Sequence, residues 1–233
     1  MKSICIIPAR GGSKRIPRKN IKLFRGKPLI NWVIDTAKDS ECFDQIFVST
    51  DDAEIASFSR EFGAEVPFLR PSNLSDDYSN TMDVMRYMLD KLSKKYQSLD
   101  YICCIYATAP LLLKSDLVKS FEMIKKTKDD QILFGATSFD YPIQRAVRLD
   151  KDGNSSIIDK KFLFSRSQDL EEAFHDAGQF YWGTFNAWIN TDNVLEGGKA
   201  FKIPRWRVQD IDVEEDWIRA EFLHKEICNR ISE

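Results

Sequence analysis

Over the first two-thirds of the chain, short apolar runs of β character alternate with stretches of helical spacing, and this alternation narrows the possible folds most. Residues 3–8, 45–49, 101–106 and 132–137 read as strands, and 64–66 as a brief further one. Between them, 29–38, 52–62 (closed by Gly63), 79–94 and a stretch capped by Ser115 and running to about Lys126 read as helices. Met82, Met85 and Met88 share a helical face with Leu89 and Leu92, the pattern of core packing. Strands joined by helices of this length imply right-handed βαβ units and a doubly wound, mostly parallel α/β sheet. A chain of 233 residues is long enough for one such domain with a full core.

Ligands on these sheets bind outside the carboxyl ends of the strands. The first strand ends in Ala9-Arg10-Gly11-Gly12-Ser13-Lys14-Arg15-Ile16-Pro17-Arg18-Lys19-Asn20, a loop with two adjacent glycines and five basic residues, stiffened by Pro8 and Pro17. Glycines let a backbone approach an anion closely, and the cations supply charge where a polyphosphate would lie. The loop matches neither the P-loop nor the dinucleotide fingerprint, which disfavours P-loop NTPases, kinases and dehydrogenases. A solvated basic loop is the plain alternative. If the loop does hold a nucleoside triphosphate, the segments after the other strands should converge on it: Thr50-Asp51, residues 107–110 and the turn near Asp140. Asp51 suits either a cap on the following helix or a ribose or metal-shell role.

Net charge is −2, from 34 basic and 36 acidic residues, so there is no broad basic field for nucleic acid. No apolar run approaches the length of about 20 residues that spans a bilayer, and the first strand is shorter than a secretory core. A cytoplasmic protein is expected. The five cysteines are scattered without a C-x-x-C pair, and two histidines make no multi-histidine metal site. A triphosphate still calls for a cation, and magnesium (Mg2+) prefers carboxylates and phosphate oxygens. Asp210-Ile211-Asp212 offers two carboxylates that point the same way on an extended segment. Asp212 equally suits an N-cap with Glu215 as its partner. His175 is either a satisfied polar residue or a substrate contact, and no G-x-S-x-G elbow accompanies it.

After Asp140 the texture changes. Residues 145–149 alternate, 150–154 signal a turn, and Ile157-Ile158 resumes, as in a hairpin. Residues 160–178 are polar and irregular, 178–182 returns to strand character, a last strand lies near Lys202-Ile203, and 214–227 forms a closing helix. The expectation is a single domain, 1–233, carrying an excursion at 140–178.

From its first strand to its last helix, the chain resembles the cytidylyltransferases that activate nine-carbon acidic sugars, the CMP-sialic acid synthetases and their bacterial relatives. The resemblance rests on residues 7–20, Ser49-Thr50-Asp51, Arg70-Pro71 and the late Asp210-x-Asp212. Where sialic acid members often read Gln-Pro-Thr-Ser-Pro-Leu-Arg, this chain has Tyr106-Ala107-Thr108-Ala109-Pro110-Leu111-Leu112, without the arginine. Residues 141–145, 166–170, 175–182 and 208–212 look most like the pseudaminic acid branch.

The resemblance implies transfer of CMP from CTP to the anomeric hydroxyl of such a sugar, with release of pyrophosphate. It implies a nucleotide site from Ala9, Arg10, Gly11, Gly12, Ser13, Lys14, Asn20, Arg70, Thr81 and Thr108, with Arg10, Lys14 and Lys19 neutralising the phosphates. Asp210 and Asp212 would be the magnesium ligands. Gln144, Arg145, Arg166, His175, Gln179 and Tyr181 are candidates for the sugar and its carboxylate. A homodimer joined through the excursion is expected as well. The alternatives are activation of sialic acid, legionaminic acid or a deoxy-octulosonate, and a nucleotide-binding protein without catalysis.

Overall fold

The computed structural model describes residues 2–76 and 79–232, with side chains to residue 230. In chain order the elements are β1 (Ser3–Pro8), a small hairpin of β2 (Leu23–Phe24) and β3 (Lys27–Pro28), α1 (Leu29–Asp39), β4 (Gln45–Ser49) and α2 (Ala53–Glu61). Then come α3 (Thr81–Ser93), β5 (Tyr101–Ile105), α4 (Lys114–Ile124), β6 (Leu133–Ser138), β7 (Val147–Leu149) and β8 (Ser155–Ile157). β9 (Phe174–Thr184), α5 (Phe185–Asn190), β10 (Lys199–Lys202) and α6 (Glu214–Ser232) complete the chain.

Six strands form the main sheet in the order β10-β6-β9-β5-β1-β4. β1 runs parallel to β4 and β5, and β10 parallel to β6. Only β9 is reversed, lying antiparallel between β5 and β6. It returns from the excursion carrying residues 175–179 along the ligand-facing end of its neighbours. Its length of 11 residues exceeds the five expected at 178–182, because Phe174, His175 and Asp176 also pair, with Ser138, Thr137 and Ala136, beyond a register shift.

Period-2 alternation sends the side chains of each strand to opposite faces. Cys5 and Ile7 join one buried cluster with Val33, Ile34, Ile55 and Leu117, from α1, α2 and α4. Ile4 and Ile6 join another with Met85, Met88, Leu89 and Trp188, from α3 and α5. The methionine stripe is therefore core, each side chain contributing about 1.5–3 kcal/mol of burial. A third cluster ties the first loop to the last helix: Ile16, Phe24 and Leu29 pack on Ile211, Trp217 and Ala220.

Three helix starts differ from the sequence expectation. Asp52, not Asp51, caps α2, its carboxylate accepting the Glu54 and Ile55 amides. Ser115 lies inside α4, which begins at Lys114 with no side-chain cap. At α6 the carboxylate of Asp216 accepts the Asp212 and Val213 amides at 3.0 and 2.9 Å, so neither Asp212 nor Glu215 acts as the cap. The side chain of Asp212 is thereby left for other partners. The 64–66 segment contributes an isolated bridge, Phe47 to Glu65.

Candidate active site

The first loop and the tail aspartates meet. Arg15 donates to Asp212 at 2.7 Å, and Lys19 lies 3.7 Å from the same carboxylate while donating to the Ile211 carbonyl. Lys22 holds both oxygens of Glu214 at 2.8 Å, one step further along. Burial draws the Lys19 ammonium below its usual range, against the opposing pull of Asp212 and Asp210. Asp210 is exposed on the wall of a cavity of about 1010 Å3. Partial desolvation and the charges of Asp212, Asp216 and Asp176 raise its carboxyl, and Lys19 opposes them.

The loop itself is braced by carboxylates. Asp51 accepts the Gly11 amide at 3.0 Å, so that N–H is already used. Arg18, in the left-handed region at φ 57°, pairs with Asp52 and Glu54, and the Arg18 contact holds the Asp52 carboxyl down to about 2. A Cβ on Gly11 would stand 2.7 Å from the Asp52 Oδ2, whereas one on Gly12 would meet nothing within 4 Å. The first glycine thus makes room for the Asp52 brace, and the second lies on the open side of the loop.

A smaller cavity of about 110 Å3 opens among Arg10, Arg70, Leu74 and Thr81. Asn20 is buried and donates to the Arg10 carbonyl at 2.9 Å, fixing the loop from beneath. Arg70 is 5% exposed, with its Nε donating to Ser75 Oγ at 3.0 Å; burial lowers its pKa, Asp51 opposing and Arg10 reinforcing. Ala9 extends the sheet by donating to Ser49, and Ser13 closes the glycine turn on the Gly11 carbonyl. Lys14 is exposed on that turn, and Thr108 follows β5, the neighbour of β1. The expected nucleotide residues are therefore gathered at the carboxyl ends of β1, β4 and β5.

The expected sugar residues are not gathered in the same way. His175 lines the large cavity with Asp210, its ring 4.7 Å from that of Phe139. Tyr181 is buried, and it reaches the cavity wall only through a hydrogen bond to Asp176. Gln179 is also buried and donates to the Arg207 carbonyl at 3.0 Å. Gln144 and Arg145 lie in the excursion, bonded to the Glu171 carbonyl and the Ser167 hydroxyl. Arg166 is exposed there, paired with Asp169. Leu112, where sialic acid members carry arginine, is in the core.

The large cavity is instead finished by Asp140, in the turn expected to converge on the site, and by Asp176, Arg205 and Arg219, which no sequence motif marks. Arg205 donates to the Phe139 carbonyl at 2.9 Å and lies 3.2 Å from Asp140. Arg219 makes no salt bridge among the described residues. The nearest sequence signal was the neighbouring His175, a candidate substrate contact.

Residues 4–177 match the cytidylyltransferase family. The chain belongs to that family. It is 46% identical over 226 residues to the pseudaminic acid cytidylyltransferase of Campylobacter jejuni subsp. jejuni serotype O:2, covering 97% of each chain. It is 36% identical over 235 residues to the CMP-N,N'-diacetyllegionaminic acid synthase of Legionella pneumophila subsp. pneumophila, covering 96% of each. Among solved structures, CMP:2-keto-3-deoxy-manno-octonic acid synthetase complexed with CTP superposes with a TM-score of 0.72 at 16% identity, over 97% of this chain and all of that one. That last likeness bears on the fold, an α/β nucleotidyltransferase sheet, and agrees with the doubly wound, mostly parallel arrangement expected from sequence. This cytidylyltransferase is a CTP-using nucleotidyltransferase.

Proposed function

We propose that this cytidylyltransferase moves CMP from CTP to the anomeric hydroxyl of a nine-carbon acidic sugar, with pseudaminic acid the favoured acceptor, and releases pyrophosphate. The observation that carries the reading is the junction of Arg15 and Lys19 with Asp212, beside Asp210, in a chain 46% identical to a pseudaminic acid cytidylyltransferase. In this scheme Arg10, Lys14 and Lys19 hold the triphosphate and neutralise the departing pyrophosphate. Positioning and charge neutralisation supply most of the rate in such transfers.

Asp210 and Asp212 fit a hard divalent cation. Magnesium is commonly held by one or two carboxylates together with substrate phosphates; beside the desolvation that mainly raises Asp210, the charges of Asp212, Asp216 and Asp176 add a repulsion that a cation would relieve. When bound there, magnesium would offset the negative charge of the triphosphate and of the attacking oxygen. Asp212 has lone pairs to spare beyond those engaged by Arg15 and Lys19. Arg205 and Arg219, on the wall of the large cavity, supply positive charge for the sugar carboxylate.

The exposed apolar surface of the excursion supports a homodimer: Phe164 is 94% exposed, Leu149 63% and Ile158 58%. Sedimentation of dilute protein as a monomer would contradict that part. All five cysteines are free, which suits a reducing cytoplasm. Among the described residues no helix is long and apolar enough to cross a membrane.

The test is pyrophosphate release from CTP and magnesium with pseudaminic, legionaminic and sialic acids and a deoxy-octulosonate, for wild type and Asp210→Ala. Turnover fastest with pseudaminic acid and abolished in the variant is expected. Tight CTP binding with silence across all four sugars would favour a nucleotide-binding protein.

A further inference from the structure

The cavity that holds Asp210 carries a second carboxylate whose support comes from the core. Asp176 is half-buried on the cavity wall; its Oδ2 accepts the Tyr181 hydroxyl, and its Oδ1 accepts the Gly178 amide at 2.9 Å. Tyr181 is 1% exposed, and its ring lies 5.1 Å from that of Tyr106. The Tyr106 hydroxyl in turn lies 2.9 Å from Thr81 Oγ1. Thr81 lines the small cavity with Arg10 and Arg70.

A phenol has one O–H to give, and Tyr181 gives it to Asp176. A carboxylate has about four acceptor sites, and the two donors named leave the remainder available to the cavity.

We propose that Asp176 is a specificity-determining residue that accepts a hydrogen bond from a hydroxyl or amide N–H of the acidic sugar, and that Tyr181 is a positioning residue that holds its carboxylate. The assignment rests on the sugar-cytidylyl transfer proposed above. It fixes the polarity of the sugar's approach. The group against Asp176 is a hydrogen-bond donor, and the sugar carboxylate faces the arginines of the same cavity.

The experiment measures pyrophosphate release with pseudaminic acid varied at saturating CTP, and the reverse, for Asp176→Ala, Asp176→Asn, Tyr181→Phe and the Asp176→Ala/Tyr181→Phe double variant. Loss of a hydrogen bond to a charged group predicts a fall of about 10- to 100-fold in kcat/KM for the sugar in Asp176→Ala, with KM for CTP within about twofold of wild type. Asp176→Asn keeps an acceptor oxygen and should recover part of the loss. Tyr181→Phe keeps the buried ring and should lower the same parameter by a smaller factor, and the double variant should be no worse than Asp176→Ala. Unchanged sugar kinetics in Asp176→Ala, equal losses for both substrates, or losses that multiply in the double variant would each overturn the assignment. If Asp176→Ala does not fold, Tyr181→Phe decides alone: a loss confined to the sugar supports it, and no loss or a shared one refutes it. Wild type that turns over no acidic sugar removes the transfer reading and this inference together. Active wild type with indifferent variants removes the inference only.

Discussion

The segment that delivers Asp210 is anchored by a buried ion pair, and breaking that pair gives a calculable result. Arg207, three residues before Asp210, donates to both oxygens of Asp116 in α4 at 2.6 and 3.1 Å, with side-chain exposures of 10% and 6%. The Arg207 carbonyl also accepts Gln179 from β9. Asp116→Ala leaves a guanidinium in the interior without its counter-ion, a change that costs about 3–5 kcal/mol. For a chain of this length, about 2–4 °C of melting temperature is lost per kcal/mol, which predicts a fall of about 6–20 °C. Urea and thermal melts read the stability, and pyrophosphate release reads the displacement of Asp210 as a lower kcat. Asp116→Leu combined with Arg207→Met removes both charges, so most of the stability should return. A melting temperature for Asp116→Ala within about 2 °C of wild type would refute the reasoning, since such a small effect is typical of solvated surface pairs.

Two further outcomes follow from the same geometry. Gly11→Ala should displace the Asp52 carboxylate, weaken the α2 cap by about 1 kcal/mol and raise KM for CTP, whereas Gly12→Ala, with open space at its Cβ, should leave the melting temperature unchanged; equal melting temperatures would count against the brace. His224 is buried beside Phe24 and Trp32, and burial, reinforced by Arg25 and Lys27, holds its imidazole down to about 4. The unfolded chain takes up that proton first, so stability should fall as pH drops from about 6.5 toward 4, by about 2 kcal/mol between pH 7 and 5. His224→Phe should flatten this part of the urea-midpoint profile, and an identical slope in both proteins would exclude His224 as its source.

The parts of the fold that depend on local pattern were readable from sequence. β1, α1, β4, α2 and β5 fall within a residue or two of expectation because their apolar spacing suits only one kind of element. The direction of β9 was hidden, since an apolar run such as Phe180-Tyr181-Trp182 suits a central strand in either sense. Caps stayed open between neighbours where acidic residues crowd a helix start, because Asp51 and Asp52, or Asp212, Glu215 and Asp216, differ only in the backbone angle at which each leaves the chain. The cationic loop and the two tail aspartates could be named because each lies in one short segment. The wall of the large cavity is assembled from residues 137–141, 175–177, 205–210 and 219–223. No local pattern links Asp176 to Arg205, so that wall became visible only once β9 had been placed beside β6.

The central claim is that the cationic loop after β1 and the aspartates before α6 form one nucleotide site around a shared divalent ion. An anomalous difference map from crystals grown with CTP and Mn2+ tests it most directly. The account predicts a manganese peak bonded to Asp210 and to the triphosphate, with the phosphates lying over residues 10–19. A triphosphate bound elsewhere, or a metal that leaves both Asp210 and Asp212 untouched, would contradict it.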